Sequence, residues 1–179
     1  KELNFKARIL KGNFFLDSLH FFLITPDNYS FSGLYGWNRE TIDNKYHFLT
    51  EEFYSNFIKN KKSLKVISDT IVLGSSSVNN YHRNLISFLP RIFFIKDTRV
   101  NLAIHRNSSN KFRLFIKNIL RTRGVKVKKF TYLDDNFYCF KNSQIPQFYT
   151  TSNSVKILNQ LSKKNLYKNK IRIYLTRKN

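Results

Sequence analysis

Residues 64–95 have the sequence LKVISDTIVLGSSSVNNYHRNLISFLPRIFFI, and this stretch decides the fold. Its first part, LKVISDTIVLG, is an apolar run that ends at Gly74 and predicts a buried strand. Three serines follow, and the pattern then predicts a helix that begins near Asn79 or Asn80. Pro90 predicts a kink or a break near Leu89, because proline lacks the N–H group that the helix requires. The stretch therefore predicts a strand, a polar loop and a helix in succession.

The alternation of strands and helices continues towards the C-terminus. Strands are predicted at VNLAIH (100–105), VKVKKFTYL (125–133), NFYCF (136–140) and IRIYLTR (171–177), and helices at NKFRLFIKNILRTRG (110–124) and SVKILNQLSKKNLY (154–167). Three β–α steps in a row predict an α/β domain over residues 64–179 with a largely parallel sheet. Residues 1–63 predict a β-rich N-terminal segment with a helix, since LNFKARIL (3–10) and HFFLITP (20–26) are typical of short strands.

The chain carries a strong positive charge that is unevenly placed. It has 179 residues, with 32 Lys and Arg against 11 Asp and Glu, and a formal net charge of +21. Residues 1–98 hold 13 bases and 9 acids, net +4, whereas residues 99–179 hold 19 bases and 2 acids, net +17. Such a field attracts polyanions, which include nucleotide phosphates, RNA, acidic glycans and an anionic membrane surface. The alternative is a solvated basic face with no specific partner.

Composition argues against several classes of protein. The single cysteine, Cys139, excludes an internal disulfide framework and any multi-cysteine zinc or iron–sulfur site. No apolar run approaches the roughly 18 to 20 residues of a membrane span. The hydrophobic fraction of 41% is enough for a folded core, which argues against wholesale disorder. The sequence contains no Met, and we interpret the chain as a processed protein or as a piece of a longer one.

The junction that follows the first strand of the quoted stretch is the strongest candidate site. In open α/β sheets, ligands bind beyond the carboxyl ends of the strands, where loops lead into helices. Ser75 and Ser76 offer hydroxyl and backbone N–H groups there, close to the predicted helix start at Asn79 or Asn80. His82 is a natural general base near neutral pH, and Arg83 is a natural partner for phosphate. The alternative is that the serines only cap the helix and that His82 is an ordinary surface histidine.

The helix of this stretch carries the pattern N-Y-H…L-P-R. Its matching residues are Asn80, Tyr81, His82, Leu89, Pro90 and Arg91. The segment resembles the hallmark of glycosyltransferase family 61, in which bacterial members have a helix of the type N-Y-Y-H-[aromatic]-x-x-[Asp/Glu]-x-L-P-R. Residues 100–133 resemble the strand, helix and strand that follow in the family, and KNKIRIYLTRKN resembles a later strand with Arg177 at its arginine.

The resemblance implies a GT-B architecture, in which two Rossmann-like domains face a cleft and the anomeric carbon of the sugar is inverted. This chain would be the acceptor-side half, with residues 64–179 as its Rossmann-like domain and the donor-binding domain outside the chain. The donor would be a nucleotide sugar and the acceptor a glycan in surface polysaccharide biosynthesis, with no metal. His82 would be the catalytic base. The residues that would contact acceptor or phosphate are Ser75, Ser76, Asn80, Arg83, Arg91 and Arg177.

The helix departs from the family pattern in its spacing. Counting back from Arg91, the acid of the family falls on Ser87, whereas counting forward from His82 it falls on Ile86. Either a residue has been gained between the histidine and the proline, or the His/acid pair is altered. Arg91 also has a second interpretation, in which it only anchors its helix.

A basic RNA-binding or ribosomal-type protein is the alternative function. Arg113, Lys117 and Arg121 form a stripe along one predicted helix. Aromatic side chains on the neighbouring predicted strands would suit base stacking: Phe130, Tyr132, Phe137 and Tyr138. Against this function, the sequence has no RNP-type, KH or zinc-knuckle signature. Under either function we expect a cytoplasmic location, with membrane association as a further alternative.

Overall fold

The computed structural model of the chain describes residues 9–19, 21–28, 30–31, 51–74, 80–147 and 154–159. The strands in these ranges are β1 (Ile9–Asp17), β2 (Phe22–Ile24), β3 (Ser30–Phe31), β4 (Lys65–Ser68), β5 (Thr70–Val72), β6 (Arg99–His105), β7 (Lys126–Leu133) and β8 (Phe137–Pro146). The helices are α1 (Glu51–Asn60), followed by a 3-10 turn at Lys61–Ser63, the composite helix α2, and α3 (Asn110–Thr122). Helix α2 consists of an α-helical turn at Tyr81–Arg83, a π-helical turn at Asn84–Phe88 and a 3-10 helix at Leu89–Phe94. Residues 154–159 are also helical.

The strands form one sheet with the order β3-β2-β1-β8-β5-β6-β7, and β4 also pairs with β8. Strands β4 and β5 lie in line along the same side of β8, because Lys65 pairs with Tyr138 and Ile71 pairs with Gln144 in one continuous register. Asp69 separates them with a positive φ of 51°. The strand predicted at residues 64–74 is therefore present, but Asp69 interrupts it.

The sheet is mixed, and its parallel part is the part that the sequence predicted. Strands β5, β6 and β7 pair in parallel, and β4 and β5 are parallel to β8. Strands β1, β2 and β3 are antiparallel to their neighbours, and β1 pairs with β8 over nearly its whole length. The chain thus has an α/β fold, in which strands from before residue 63 and strands from after it share one sheet.

Helix α3 forms where the sequence predicted it. The Oγ atom of Ser109 accepts a hydrogen bond from the N–H of Phe112 at 3.1 Å and so caps the helix. Gly124 follows its C-terminus with a φ of 77°, a conformation that glycine adopts without strain. One face of the helix is buried against the sheet through Phe112, Ile116, Ile119 and Leu120. These side chains pack with Leu102 of β6 in one apolar cluster.

The sheet curls, which brings its distant strands together at one end. Strand β1 is four positions from β7 in the sheet order, yet Ser18, directly after β1, donates its hydroxyl hydrogen to the carbonyl of Asp134, directly after β7. The N–H of Ser18 also donates to the carbonyl of Asn136 at 3.1 Å. Helices α2 and α3 cover one face of the parallel strands, and a second apolar cluster fills the other face. Within the part of the chain that the structure describes, no helix is long and apolar enough to cross a membrane.

Candidate functional site

Three parallel strands end side by side and place polar groups at one edge of the sheet. His105, the last residue of β6, pairs with Leu133, the last residue of β7, and β5 pairs with β6 on the other side. Polar segments follow each strand: the start of α2 after β5, His105–Ser108 at the end of β6, and Asp134–Asp135 after β7. We call this region the carboxyl edge. It is the position where open α/β sheets bind their ligands.

A polar cleft of about 260 Å³ lies at the opposite end of the parallel strands. Thr70, Arg99 and Asn101 line it from the beginnings of β5 and β6, and Asn142 lines it from β8. Because ligands of such sheets bind at the carboxyl ends of the strands, this cleft is the weaker candidate, and the carboxyl edge is the candidate site.

The start of α2 holds three of the residues that the sequence pattern indicated. The Oδ1 atom of Asn80 accepts a hydrogen bond from the N–H of Arg83 at 3.1 Å, so Asn80 caps the helix. His82 is exposed, and Arg83 is partly exposed. The structure therefore presents the imidazole of His82 to solvent at the start of α2, the helix that follows β5, and Arg83 is the next residue in the sequence. Ser75, Ser76 and Arg177 lie outside the described residues.

Arg91 occupies a buried position beneath the same edge. Its side chain is fully buried, and its guanidinium group donates hydrogen bonds to three backbone carbonyls, those of Pro146 (2.7 Å), Val72 (3.2 Å) and Leu73. The group also lies 4.9 Å from the ring centre of Phe21. Burial lowers the pKa of Arg91 from 12.5 to about 9, which leaves the group charged at neutral pH. In this geometry Arg91 ties α2 to the carboxyl ends of β5 and β8.

The π-helical turn of α2 lies between His82 and the Leu89-Pro90-Arg91 sequence. The N–H of Leu89 bonds to the carbonyl of Asn84, a spacing of five residues, whereas the N–H of Asn84 bonds to the carbonyl of Asn80, a spacing of four. A π-helical turn accommodates one more residue than an α-helical turn and often lies at functional sites. The helix changes type at Leu89, where the sequence predicted a kink or a break: a 3-10 helix begins there with Pro90 in its first turn, and the chain stays helical to Phe94.

A histidine–aspartate pair lies at the ends of β6 and β7. The Nε2 atom of His105 is 2.9 Å from Oδ1 of Asp135, and Nδ1 of His105 accepts a hydrogen bond from the N–H of Asn107 at 3.2 Å. His105 is fully buried and Asp135 is 45% exposed. With Nδ1 as acceptor, Nε2 carries the hydrogen and donates it to the carboxylate. Burial lowers the pKa of His105, and the neighbouring Asp135 opposes that effect. The neutral imidazole therefore orients the exposed carboxylate of Asp135.

Sequence patterns did not indicate this pair, because its members lie thirty residues apart and carry no motif. The available signal was that His105 ends one predicted strand and that Asp135 follows the end of the next predicted strand by two residues. The carboxyl ends of such strands meet at one edge, which brings their last side chains together.

The second carboxylate of this turn is held by its own neighbours. Oδ1 of Asp134 accepts hydrogen bonds from the hydroxyl of Tyr138 and from the Nδ2 group of Asn136, the latter at 2.8 Å. These bonds lower the pKa of Asp134, while burial and the same carboxylate raise the pKa of Tyr138 to about 12. Asp134 thus fixes the turn between β7 and β8, and Asp135 is the carboxylate that faces solvent.

The buried imidazole predicts a loss of stability in acid. The pKa of His105 lies below its ordinary value of 6.5 in the folded chain, so below that pH the unfolded chain binds a proton that the folded chain lacks. The free energy of unfolding should therefore fall as the pH drops below 6.5 and through the folded pKa, by at most about 1.4 kcal/mol per pH unit for one proton. Urea unfolding at several pH values measures the slope.

Two variants isolate the contribution of His105 to that slope. His105→Gln removes the titrating group and retains a donor for Asp135, so its stability should change less on acidification than that of the wild type. His82→Gln removes an exposed imidazole that has no part in the His105–Asp135 pair, and it is the comparison variant. An unchanged slope in His105→Gln would contradict the assignment.

Among the residues that the structure describes, no group of three or more His, Cys, Asp or Glu side chains lies close enough to hold a metal ion. Comparisons with protein families, with curated proteins and with solved structures find no match for this chain.

Proposed function

We propose that the chain is the acceptor-side, Rossmann-like half of an inverting GT-B glycosyltransferase similar to family 61. It would transfer a sugar from a nucleotide-sugar donor to a glycan acceptor in surface polysaccharide biosynthesis, in the cytoplasm. The single observation that carries the proposal is the exposed His82, which directly precedes Arg83 in the first turn of α2, the helix that follows the parallel strand β5. This position combines a general base with a cation where α/β folds bind ligands.

The chemistry requires a base and positive charge, which this turn provides. His82 takes the proton from the acceptor hydroxyl, and the hydroxyl oxygen attacks the anomeric carbon of the donor. The bond from that carbon to the phosphate oxygen breaks, and the nucleoside diphosphate leaves with the electron pair. Attack from the opposite side inverts the configuration at the carbon. Arg83 stabilises the negative charge that develops on the leaving phosphate.

The π-helical turn supports the proposal through the spacing of the motif. The family pattern fits His82 on one side of the turn and Pro90 on the other only if one residue has been gained between them. A π-helical turn holds one additional residue, and it lies at Asn84–Phe88, within that interval. Of the two interpretations of the altered spacing, a gained residue is the one that this geometry favours.

The burial of Arg91 assigns it a positioning role within the same proposal. Its guanidinium group holds the carbonyls of Leu73 and Pro146, which end two adjacent strands. It acts on the site through the backbone that leads to Ser75 and Ser76, and it does not contact the sugar nucleotide.

His82→Ala tests the proposal in the complete protein that carries this chain. Loss of a general base is expected to lower the rate of sugar transfer by about 10² to 10⁴-fold. The midpoint of thermal unfolding should stay unchanged, because the side chain is exposed. The measurement is release of nucleoside diphosphate from a panel of nucleotide sugars in the presence of glycan acceptors.

Lys62→Ala is the matched control, since Lys62 is exposed in the turn before β4 and is not part of α2. It should retain the wild-type rate. Full activity of His82→Ala would remove His82 from the mechanism, and failure of the wild-type protein to use any nucleotide sugar would contradict the function as a whole.

A further inference from the structure

The unit formed by β6, α3 and β7 contains cations and no acids. Between Arg99 and Leu133 its basic residues are Arg99, Arg106, Lys111, Arg113, Lys117, Arg121, Arg123, Lys126, Lys128 and Lys129. Almost half of the net charge of the chain therefore lies on one strand–helix–strand unit. A field of one sign over a continuous surface attracts a polyanion.

Two of these cations lie over aromatic rings of β7. The guanidinium group of Arg113 is 4.6 Å from the ring centre of Tyr132, and the ammonium group of Lys117 is 5.3 Å from that of Phe130. The two rings are parallel within 2°, with their centres 6.4 Å apart. Phe130 is partly buried, whereas Tyr132 is 49% exposed. Helix α3 and strand β7 thus present alternating cations and π systems, which we call the α3–β7 surface.

The cations of α3 are regularly spaced along this surface. Arg113, Lys117 and Arg121 are four residues apart, which places them on one side of the helix at steps of about 6 Å. In the described part of the sheet, β7 pairs with β6 alone, so this surface lies at the open side of the sheet. A row of charges beside an exposed ring suits a ligand with regular anionic groups and flat faces.

We propose that the α3–β7 surface binds single-stranded nucleic acid. The row on α3 contacts successive phosphates, and a base stacks against the exposed ring of Tyr132. An acidic polysaccharide fits less well, because it has anionic groups for the row of cations but no planar base to stack on the exposed ring of Tyr132. Of the four aromatic residues that the sequence suggested for stacking, Tyr138 is buried and Phe137 packs on Phe57, so the proposal rests on Tyr132 and Phe130.

Fluorescence anisotropy with a short labelled oligouridylate tests the proposal over a range of salt concentrations. Removal of two phosphate contacts in Arg113→Gln/Lys117→Gln should weaken binding and make the slope of log K against log salt shallower by about 1.4, since each contact on a single strand contributes about 0.7. Tyr132→Ala should weaken binding by about 5- to 100-fold, which corresponds to the loss of one stacked base, and should leave the salt slope unchanged.

Three control variants distinguish specific contacts from misfolding and from a general effect of charge. Tyr132→Phe keeps the ring and should bind as the wild type does, which distinguishes loss of stacking from misfolding. Lys62→Gln/Lys65→Gln removes two exposed cations from elsewhere in the chain and should leave the affinity within a factor of about 2. His82→Ala should bind the oligonucleotide normally, because the two proposals use different residues and can fail separately.

Several results would overturn the proposal. One is that the wild type does not bind the oligouridylate at low salt. Another is that Tyr132→Ala binds it as tightly as the wild type does. A third is that the Lys62→Gln/Lys65→Gln control loses as much affinity as Arg113→Gln/Lys117→Gln. Tighter binding of heparin than of the oligouridylate, with no effect of Tyr132→Ala on either ligand, would assign the surface to an acidic polysaccharide.

Discussion

Arg91→Ala is expected to lower the free energy of unfolding by about 3 kcal/mol or more, since each buried acceptor that loses its donor costs about 1 to 3 kcal/mol. Three carbonyls lose a donor in this variant, those of Pro146, Val72 and Leu73. The truncation also leaves a cavity, because the side chain is among the largest that are fully buried. Both effects act at the carboxyl ends of β5 and β8, so the strand ends next to the candidate site should also be held less firmly.

Burial of a guanidinium group has an opposing cost, which the lowered pKa of about 9 reflects. Loss of the charge recovers that cost, but the carbonyls stay buried without donors, and we expect destabilisation to prevail. Arg91→Met separates the contributions, since it fills most of the volume without donating hydrogen bonds. Arg91→Met should therefore lower the free energy of unfolding less than Arg91→Ala does, and the difference is the energy of the cavity.

Urea unfolding measures these differences as a lower midpoint with an unchanged m value. Arg106→Ala is the control: its side chain is exposed and its effect should stay within about 0.5 kcal/mol. If Arg91→Ala changed the free energy of unfolding as little as Arg106→Ala does, the guanidinium group would not hold the strand ends together.

Local patterns in the sequence predicted the parallel half of the fold well. Helix α3 has a serine cap, one apolar face and a terminal glycine, all within sixteen residues (109–124). Each of these signals depends only on residues that are close in the sequence. The change to a 3-10 helix at Leu89 falls where the missing N–H of Pro90 predicted a kink or a break. The alternation of strands and helices after residue 64 likewise predicts parallel pairing, because crossover helices are what parallel neighbours require.

The rest of the fold depends on contacts between residues that are distant in the sequence. The pairing of β1 with β8 joins Phe14 to Phe140, and nothing in either segment specifies the other. The role of Arg91 depends on Pro146, which lies 55 residues later. His105 and Asp135 meet only because their strands end at one edge. The sequence indicated both Arg91 and His82 as candidate site residues. Only the arrangement of the strands shows that Arg91 is buried and positions other groups, whereas His82 is exposed.

Phe140→Ala is expected to lower the free energy of unfolding by about 3 to 5 kcal/mol, as is typical of a buried phenylalanine. Phe140 is fully buried in β8, the central strand. Its ring stacks on that of Phe14 with centres 5.1 Å apart, and its backbone pairs with both Phe14 and Ile67. Tyr132→Ala is the matched aromatic control, because Tyr132 lies in a strand but is 49% exposed. Tyr132→Ala should lower the free energy of unfolding by less than about 1.5 kcal/mol.

The shape of the Phe140→Ala unfolding curve also tests the boundary predicted near residue 63. Phe14 and Leu23 come from before it, Ile67 and Phe140 from after it, and all four belong to one apolar cluster. A shared cluster should make residues 1–63 and residues 64–179 unfold together. In the wild type, circular dichroism and aromatic fluorescence should therefore give the same unfolding midpoint, and the same agreement is expected in Phe140→Ala. Two separate transitions, with the weaker one shifted by Phe140→Ala alone, would show that residues 1–63 form a unit with its own stability. Coincident transitions would mean that the strands of the N-terminal segment are part of the domain that carries His82.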